Sequence, residues 1–189
     1  LMDTRSISNK KYISNLIVSI KSKPIDKRIF YRGFTLLVTM PCWNEEGKVG
    51  SGVKAVPRDL VDTVCVVDNG SNDATAKEAK DAGALVISHP QNLGAGGGIR
   101  SGLEYGRQNN YDFLAVLAGD NQDDPNDLYK AIDKLIDENL DYVQGSRWLK
   151  EGKRENMTFS RTMLTWVYSL LFRILFKTKI TDATNGFRV

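Results

Sequence analysis

Residues 62–71 are DTVCVVDNGS, and they are the strongest indication of fold class in the chain. The valine-rich run is typical of a buried strand, and it ends at a carboxylate, Asp68. A glycine and a serine then favour a turn, after which residues 73–82 have a helical composition and Gly83 ends the helix. A buried strand that passes directly into a helix is the repeating unit of an α/β sheet.

The same alternation extends to both sides of this unit. Short apolar runs bounded by turn residues predict four more strands, at 34–40, 84–89, 111–119 and 141–147, and two more helices, at 97–109 and 126–139. Strands that alternate with helices are joined by crossovers, which make a mostly parallel sheet. We therefore predict an α/β, Rossmann-like three-layer fold whose ligands bind at the carboxyl ends of the strands.

The composition is that of one globular domain, with 189 residues, of which 41% are hydrophobic and 26% charged. The net charge of +3 is too small for a nucleic-acid binder, but it suits anionic small molecules or an anionic membrane surface. The two cysteines, Cys42 and Cys65, form no CxxC pair, so we expect two free thiols in a reducing compartment and no zinc site or disulfide framework.

The chain divides near residue 33. Residues 1–33 are predicted to be an N-terminal tail, in which residues 11–22 have the pattern of a short amphipathic helix. Residues 34–189 form the predicted folded domain. The sequence stops at Val189 without a polar tail, so we expect the natural chain to continue beyond this residue.

Polar side chains follow the ends of the first two predicted strands. The stretch PCWNEEG (41–47) offers an aromatic ring, an amide and two carboxylates, which can stack on or hydrogen-bond a nucleoside. Asp68 can accept a hydrogen bond from a base N–H. Each stretch by itself is also compatible with a plain solvated loop or an Asx-type turn.

A glycine-rich stretch, NLGAGGGIRSG (92–102), precedes a predicted helix. Its glycines allow the backbone to approach a phosphate closely, with Arg100 nearby. The spacing is not that of the dinucleotide fingerprint, because the sixth position is Ile99 or Ser101, and no P-loop is present.

The stretch LAGDNQDDP (117–125) follows the fourth predicted strand. Asp120 and Gln122 place oxygen ligands on one side of the backbone, and hard oxygen ligands suit Mg²⁺ or Mn²⁺. In isolation the run is equally compatible with a surface turn.

Basic and hydroxyl side chains follow in the last third of the chain. GSR (145–147) precedes Arg161 and Thr165, which lie four residues apart and so share one face of a helix. Together with Arg147 they can hold an anionic group. In a basic protein, however, such arginines are more often solvated surface residues.

The order of these motifs closely resembles that of glycosyltransferase family 2. P-x-W-N-E, V-D-N-G-S, N-x-G, G-D-x-Q, G-S-R and D-x-T-N-G-F-R occur in that order over about residues 35–188. The subgroup that the chain most resembles is that of the polyprenyl-phosphate (dolichyl-phosphate) mannosyl- and glucosyltransferases. The resemblance implies a GT-A catalytic domain at 34–189. It also implies an inverting transfer of a sugar from a UDP- or GDP-hexose to a lipid phosphate.

On the donor side, the resemblance assigns the nucleoside to Asp68 and to three residues of the first loop, Pro41, Asn44 and Glu45. It assigns the metal, Mg²⁺ or Mn²⁺ bridging the diphosphate, to Asp120 with help from Gln122. Backbone amides from Gly94 onward and the side chain of Arg100 are expected to assist at the phosphates.

On the acceptor side, the resemblance places Arg147, Arg161 and Thr165 at the acceptor phosphate. Asp182 and Arg188 fall in the motif that closes this side of the site. Catalysis is thus expected to rest on Asp120, Arg147, Arg161 and Asp182.

Three positions depart from the family pattern. Trp43 replaces a tyrosine, Asn69 replaces the second aspartate of D-D-G-S, and Ala118 replaces the first aspartate of D-x-D. The last change removes one carboxylate from the metal motif, and Asp123 or Asp124 is a candidate to compensate.

Several functions remain open from sequence. A lipid phosphate is already largely anionic at pH 7, so it needs no general base, whereas a glycan or other hydroxyl acceptor needs a carboxylate base such as Asp123 or Asp124. A sugar-nucleotide pyrophosphorylase would carry its glycine-rich loop after the first strand, where this chain has 41–47. A non-catalytic nucleotide- or membrane-binding module is the remaining alternative.

Residues 163–176, MLTWVYSLLFRILF, are nearly all apolar. A helix of this length extends about 21 Å, which is too short for a hydrocarbon core about 30 Å thick. It is predicted either as a core helix or as a helix that lies in a membrane interface, with Trp166 and Tyr168 at headgroup level. The second interpretation implies peripheral association with the cytoplasmic face of a membrane, where nucleotide sugars are made.

Overall fold

The computed structural model describes residues 31–149, 159–178 and 180–189. Within α5, defined below, the side chains of Phe159 and Arg161 are also outside the described part. The predicted amphipathic helix at 11–22 lies outside the described residues, as does most of the predicted tail.

The centre of the domain is a sheet of four parallel strands in the order β3-β2-β1-β4. The strands are β1 (Leu36–Cys42), β2 (Thr63–Asp68), β3 (Leu85–Ser88) and β4 (Phe113–Val116). The chain runs outward from β1 to β3 and then crosses back to the other side of β1. Such a reversal creates a crevice at the carboxyl ends of the strands, where α/β proteins bind ligands.

Five helices accompany the sheet, namely α1 (Val49–Ala55), α2 (Thr75–Asp81), α3 (Gly94–Gln108), α4 (Asp127–Asp137) and α5 (Phe159–Phe176). Val53 of α1, Ala79 of α2 and Ile132 of α4 pack in one core cluster against one face of the sheet. Tyr105 of α3 packs in a second cluster with Leu37 of β1. The predicted three-layer α/β architecture with a mostly parallel sheet is therefore confirmed.

Helix α3 lies unusually close to β1. A Cβ atom at Gly102 would stand 1.8 Å from Oγ1 of Thr39, so only glycine allows this approach. The glycines at 94–98 belong to the first turns of α3 and do not form a separate loop before a helix at 97, which corrects the prediction.

The predicted strand at 141–147 is wrong. Residues 143–145 instead exchange backbone hydrogen bonds with Phe187 and Val189, and Gln144 forms an isolated antiparallel bridge with Arg188. Arg188 also bridges Val116 at the end of β4 in the antiparallel sense. The pairing is too short to make a regular strand, and its partner lies more than 40 residues further along the chain.

Helix α5 exposes apolar side chains on most of its circumference. The exposed residues are Met163, Leu164, Trp166, Val167, Tyr168, Leu170, Leu171, Ile174, Leu175 and Phe176. Only Ser169 is buried among the described side chains of this helix. The core-helix interpretation is therefore wrong for the described domain. In the part of the chain that the structure describes, no helix combines the length and the apolar character needed to cross a bilayer.

Candidate active site

Three carboxylates meet at the carboxyl end of the sheet. Asp68 ends β2, and Glu45 and Asp120 follow β1 and β4. Cys42, at the end of β1, lies close enough to all three carboxylates for their charges to affect the pKa of its thiol. Burial raises its pKa to about 12, and the negative charges of Glu45, Asp68 and Asp120 add to that rise. The structure thus places these predicted nucleoside and metal residues at the same edge of the sheet.

The loop after β1 is hydrogen-bonded to the loop after β2. The backbone N–H of Asn44 donates to Oγ of Ser71 at 3.0 Å, and Oδ1 of Asn44 accepts from the N–H of Asn72 at 3.0 Å. The N–H of Glu45 donates to Oγ1 of Thr75 at 2.8 Å. The side chain of Asn44 therefore holds the two loops together.

Glu78 of α2 strengthens this connection. Its carboxylate accepts hydrogen bonds from the N–H groups of Gly47 at 2.6 Å and Gly50 at 3.0 Å, at the start of α1. A carboxylate at a helix N-terminus satisfies donors that have no partner within the helix. Sequence reasoning missed Glu78, because its position opposite α1 depends on how the two helices pack.

Pro41 and Asp68 end neighbouring strands. Pro41 lies within β1, opposite Val67, one residue beyond the predicted end of the strand. Asp68 is only 6% exposed, and its Oδ1 accepts from the N–H of Ser71 at 3.1 Å. Within the described ranges no side chain or backbone group donates to its Oδ2, which is therefore able to accept a hydrogen bond from a ligand.

The loop that carries Asp120 is fixed against α1. The side-chain amide of Asn121 donates to Oγ of Ser51 at 2.8 Å and to the carbonyl of Lys48 at 3.2 Å. Oδ1 of Asp120 accepts a hydrogen bond of 3.2 Å from the N–H of Gln122, whose side chain is exposed. The loop is thus held by neighbours that leave the Asp120 carboxylate at the surface of the crevice.

Asp123 and Asp124 differ in what they contact. Oδ2 of Asp123 accepts a hydrogen bond of 2.8 Å from the backbone N–H of Ala118. This carboxylate therefore lies beside the position where the chain lacks the first aspartate of the D-x-D motif. Burial raises the pKa of Asp123, and the charge of Asp120 acts in the same direction. Asp124 instead bonds to the backbone and side chain of Asn126.

Asp120, Glu45 and Asp68 offer hard oxygen atoms as metal ligands, and the nearby thiol of Cys42 is protonated because its pKa is raised to about 12. Among the described residues no group of three or more His, Cys, Asp or Glu side chains has the geometry of a metal site. One or two carboxylates plus substrate phosphates are, however, what Mg²⁺ typically uses. The residues present fit a cation that is held largely by a phosphorylated substrate.

Lys48 is a neighbour of Asp120 that sequence reasoning missed. Its ammonium group forms a 3.0 Å salt bridge with Glu45, and this contact, together with the charges of Glu45 and Asp120, raises the pKa of Lys48. The cation stands at the mouth of the crevice, where a phosphate would meet it. A single lysine in a loop has no sequence pattern that would predict a role in the site.

Arg147 and Asp182 form a buried ion pair. Nε of Arg147 donates to Oδ2 of Asp182 at 2.7 Å, and Nη2 donates to Oδ1 at 2.9 Å. Nη2 also donates to Oγ1 of Thr184 at 2.6 Å. Burial alone would raise the pKa of Asp182, but the bonds from Arg147 and Thr184 outweigh it and leave the pKa below its ordinary value.

Helix α5 is attached beside this pair. Oγ of Ser169 donates to the carbonyl of Thr165 at 2.8 Å and accepts from the N–H of Ala183 at 3.1 Å. Oγ1 of Thr165 donates to the carbonyl of Thr162 at 3.0 Å. The backbone of Arg161 lies in α5, but its side chain is outside the described residues. The structure therefore brings the segment of Asp182 next to the turn of α5 that carries Thr165.

The remaining predicted residues are Gly94, Arg100 and Arg188. The N–H of Gly94 donates to Oδ1 of Asn92 at 2.7 Å at the start of α3. Arg100 lines a groove of about 400 Å³ on the outer side of α3 together with Arg107 and Leu114. The guanidinium of Arg188 donates to two carbonyls of its own loop, those of Asn185 and Gly186.

Curated relatives match most of the chain. An undecaprenyl-phosphate mannosyltransferase of Micrococcus luteus is 31% identical over 162 residues, which cover 81% of this chain and 65% of that protein. A UDP-N-acetylglucosamine–dolichyl-phosphate N-acetylglucosaminyltransferase of Methanococcus voltae is 26% identical over 170 residues, which cover 81% and 68%. The chain spans between 63% and 68% of the length of the first three relatives it matches.

Solved structures share the fold. A glucosyl-3-phosphoglycerate synthase from Mycobacterium tuberculosis superposes with a TM-score of 0.65 at 23% identity, over 83% of this chain and 56% of that one. A mannosyl-3-phosphoglycerate synthase from Rubrobacter xylanophilus has a TM-score of 0.64 at 22% identity, over 82% and 52%.

The predicted GT-A fold is confirmed by these structures, which are those of GT-A glycosyltransferases. The family model for glycosyl transferase family 2 matches residues 37–189. That match contains β2, β3, β4, all of β1 except Leu36, and the motifs from 41–47 to 182–188. The chain belongs to glycosyl transferase family 2.

Proposed function

We propose that this protein is an inverting glycosyltransferase that moves a hexose from a nucleotide-sugar donor to a polyprenyl-phosphate acceptor. The observation that carries the proposal is the convergence of Glu45, Asp68 and Asp120 at one end of a parallel sheet. The charge of Asp120 raises the pKa of Asp123 and that of Arg147 lowers it, which supports a donor side and an acceptor side that lie near each other.

The donor is proposed to bind along the ends of β1 and β2. The accessible oxygen of Asp68 accepts a hydrogen bond from the base or ribose, and the exposed ring of Trp43 offers a stacking surface. One structural neighbour was solved with Mn²⁺ and UDP, and the Methanococcus relative is named for a UDP-sugar. These observations favour UDP over GDP as the donor nucleotide.

Asp120, assisted by Gln122, is proposed to hold Mg²⁺ or Mn²⁺ between the protein and the donor diphosphate. When bound, such a cation neutralises the charge that grows on the leaving group. Lys48 adds a positive charge on the same side. In the transfer itself, an oxygen of the acceptor phosphate forms a bond to the anomeric carbon. The bond from that carbon to the diphosphate oxygen breaks on the opposite face, and its electron pair leaves with the nucleotide.

Two observations support a lipid phosphate as the acceptor. Three curated relatives are named for dolichyl, undecaprenyl or dodecaprenyl phosphate. The exposed apolar helix α5 is also attached through Ser169 to Ala183, the residue after Asp182, so it can lie along a lipid tail. A phosphate monoester is already largely ionised at pH 7, which makes a general base unnecessary. Arg147, Arg161 and Thr165 are proposed to hold that phosphate, and Asp182 to hold Arg147.

Asp68→Ala is expected to raise the donor KM by roughly 10- to 100-fold, because a hydrogen bond to a charged group contributes about 1.5–3 kcal/mol. The value of kcat should change little, since the contact is made with the nucleoside and not with the reacting atoms. Steady-state kinetics with a UDP-sugar will measure both constants. Asp81→Ala, on the exposed side of α2, is the control and should behave as wild type. An unchanged donor KM in Asp68→Ala would remove Asp68 from the nucleoside site.

Helix α5 is proposed to hold the protein on the cytoplasmic face of a membrane. We expect the wild type to float with anionic liposomes. Leu171→Glu/Leu175→Glu should bind at least roughly tenfold less, because both leucines are exposed and would otherwise enter lipid. Lys77→Gln/Lys80→Gln on α2 lowers the net charge equally and should still float. If the wild type stays in the soluble fraction, or if both double variants float equally, the membrane proposal is wrong.

A further inference from the structure

A buried polar network joins the ends of β2 and β3 to α3, and the donor chemistry described above does not use it. Its members are Asn69, His89 and Ser101, which are 3%, 5% and 3% exposed. Buried polar groups are costly unless they are hydrogen-bonded, so their partners determine what this network does.

The side-chain amide of Asn69 makes its full set of hydrogen bonds. Its Oδ1 accepts from the N–H of Leu93 at 3.0 Å and contacts Nδ1 of His89 at 2.8 Å. Its Nδ2 donates to Oδ1 of Asn92 at 2.9 Å and to the carbonyl of Gly94 at 3.0 Å. An amide has two acceptor and two donor positions, and all four are occupied.

His89 is held in one tautomer by these contacts. Oδ1 of Asn69 can only accept, so Nδ1 of His89 must carry the proton. Nε2 of the neutral ring then accepts from the hydroxyl of Ser101 at 2.9 Å. Burial lowers the pKa of His89, and the charge of Asp68 opposes that shift only in part. The ring is therefore neutral near pH 7 and connects Asn69 to α3.

We infer that Asn69, held by His89 and Ser101, is a positioning residue that fixes the N–H groups opening α3 relative to Asp68. Asn69 follows Asp68 directly, so its contacts with residues 92–94 place the start of α3 against the nucleoside carboxylate. Gly70 keeps the two segments close, because a Cβ atom there would lie 2.5 Å from the backbone of Gln91. The inference rests on the proposed function in one respect, namely that a nucleotide diphosphate binds beside these N–H groups.

This role explains why the residue is asparagine where the family pattern has aspartate. An aspartate at 69 would place a carboxylate oxygen 3.0 Å from the carbonyl oxygen of Gly94. Both oxygens are acceptors, and no proton would lie between them. Asn92 could turn its amide only by losing the hydrogen bond from the N–H of Gly94, and a backbone carbonyl cannot become a donor. The first turn of α3 would therefore move away from Asp68.

Asn69→Asp tests the inference, with Asn139→Asp at the exposed end of α4 as the charge-matched control. The chain has a single histidine, so its ¹⁵N NMR signals report on His89 without ambiguity. We expect the neutral Nδ1–H tautomer in the wild type and a raised pKa of His89 in Asn69→Asp. Amide hydrogen exchange at Leu93 should become faster in this variant. Its donor KM for a UDP-sugar should rise roughly tenfold or more with little change in kcat.

Ser101→Ala keeps the amide of Asn69 intact and should shift Leu93 exchange and donor KM in the same direction by a smaller factor. Ser101→Ala still tests the inference if the Asn69→Asp variant fails to fold. An Nε2–H tautomer in the wild type, or unchanged Leu93 exchange in both variants, would overturn the inference. So would a loss of kcat at constant donor KM. If the wild type turns over no nucleotide sugar, the proposed function fails, while the tautomer and exchange measurements still decide whether Asn69 positions α3.

Discussion

Asp120→Asn is expected to lower kcat/KM for sugar transfer by roughly 100-fold or more, because a cation at the leaving group contributes several kcal/mol. Asp120 is the one carboxylate left in the D-x-D motif, since Ala118 occupies the first position. The fold should persist, because within the described ranges the carboxylate accepts a single hydrogen bond, of 3.2 Å and within its own turn. Circular dichroism and thermal unfolding will check this.

Asp124→Asn is the matched control in the same loop, since among residues 31–149, 159–178 and 180–189 its carboxylate bonds only to Asn126. Direct Mn²⁺ binding in the presence of UDP, followed by electron paramagnetic resonance, provides a readout other than activity. We expect binding in the wild type and the control, and a loss in Asp120→Asn. EDTA should reproduce the kinetic defect. Wild-type turnover in Asp120→Asn would show that the metal residue is elsewhere.

Asp182→Ala is expected to lower the free energy of unfolding by about 3–5 kcal/mol, because it leaves the guanidinium of Arg147 partly buried without its anion. Transfer should fall with it, since Asp182 fixes Arg147 on the acceptor side. Asp137→Ala is the control. It breaks an exposed pair with Arg32 and should cost less than about 1 kcal/mol. Denaturant unfolding at pH 7 will measure both, and equal effects would contradict a structural role for the buried pair.

The Arg147–Asp182 ion pair should also make the free energy of unfolding depend on pH. The folded-state pKa of Asp182 is lowered, so the stabilisation is fully present above the ordinary aspartate value of 3.8 and is lost as pH falls through the lower folded value. Asp182→Ala should therefore flatten the stability curve in the acidic range below about pH 4.

Much of the fold follows from local sequence. The valine-rich run ending at Asp68 and the run at 84–89 are short, apolar and bounded by turn residues, and both are parallel strands. Alternation with helices was enough to predict a parallel sheet, because parallel neighbours require crossovers. The motifs at strand ends then had to meet at one edge of the sheet, as Asp68 and Asp120 do.

The errors arise where distant contacts decide the structure. Residues 143–145 pair with 187–189, and no local pattern indicates a partner so far along the chain. Helix α1 contains glycines, so the helix propensity of its sequence is weak. It depends on Glu78 from α2 to accept hydrogen bonds from its first N–H groups. The glycines from Gly94 onward indicated a loop, but packing against β1 makes them the start of α3.

The candidate site divides in the same way. Asp68 and Asp120 follow the strands that the sequence predicted, whereas the strand predicted to end at Arg147 is absent from the described residues. Their roles in binding stay predictions. Asn44 was predicted to contact the nucleoside, which stays a prediction, and its side chain also joins the loops after β1 and β2. The partners of Asn69 and His89 come from three different elements, so their network is visible only in three dimensions.

The most direct test of the proposed activity is a transfer assay with radiolabelled UDP- and GDP-hexoses, Mn²⁺ and a short-chain polyprenyl phosphate. We expect label to enter an organic-extractable product with one of the UDP-sugars, only when the polyprenyl phosphate is present, and with inverted configuration at the anomeric carbon. Transfer to a glycan or to phosphoglycerate instead would contradict the proposed acceptor. Absence of turnover of every nucleotide sugar, with or without acceptor, would contradict the proposed function.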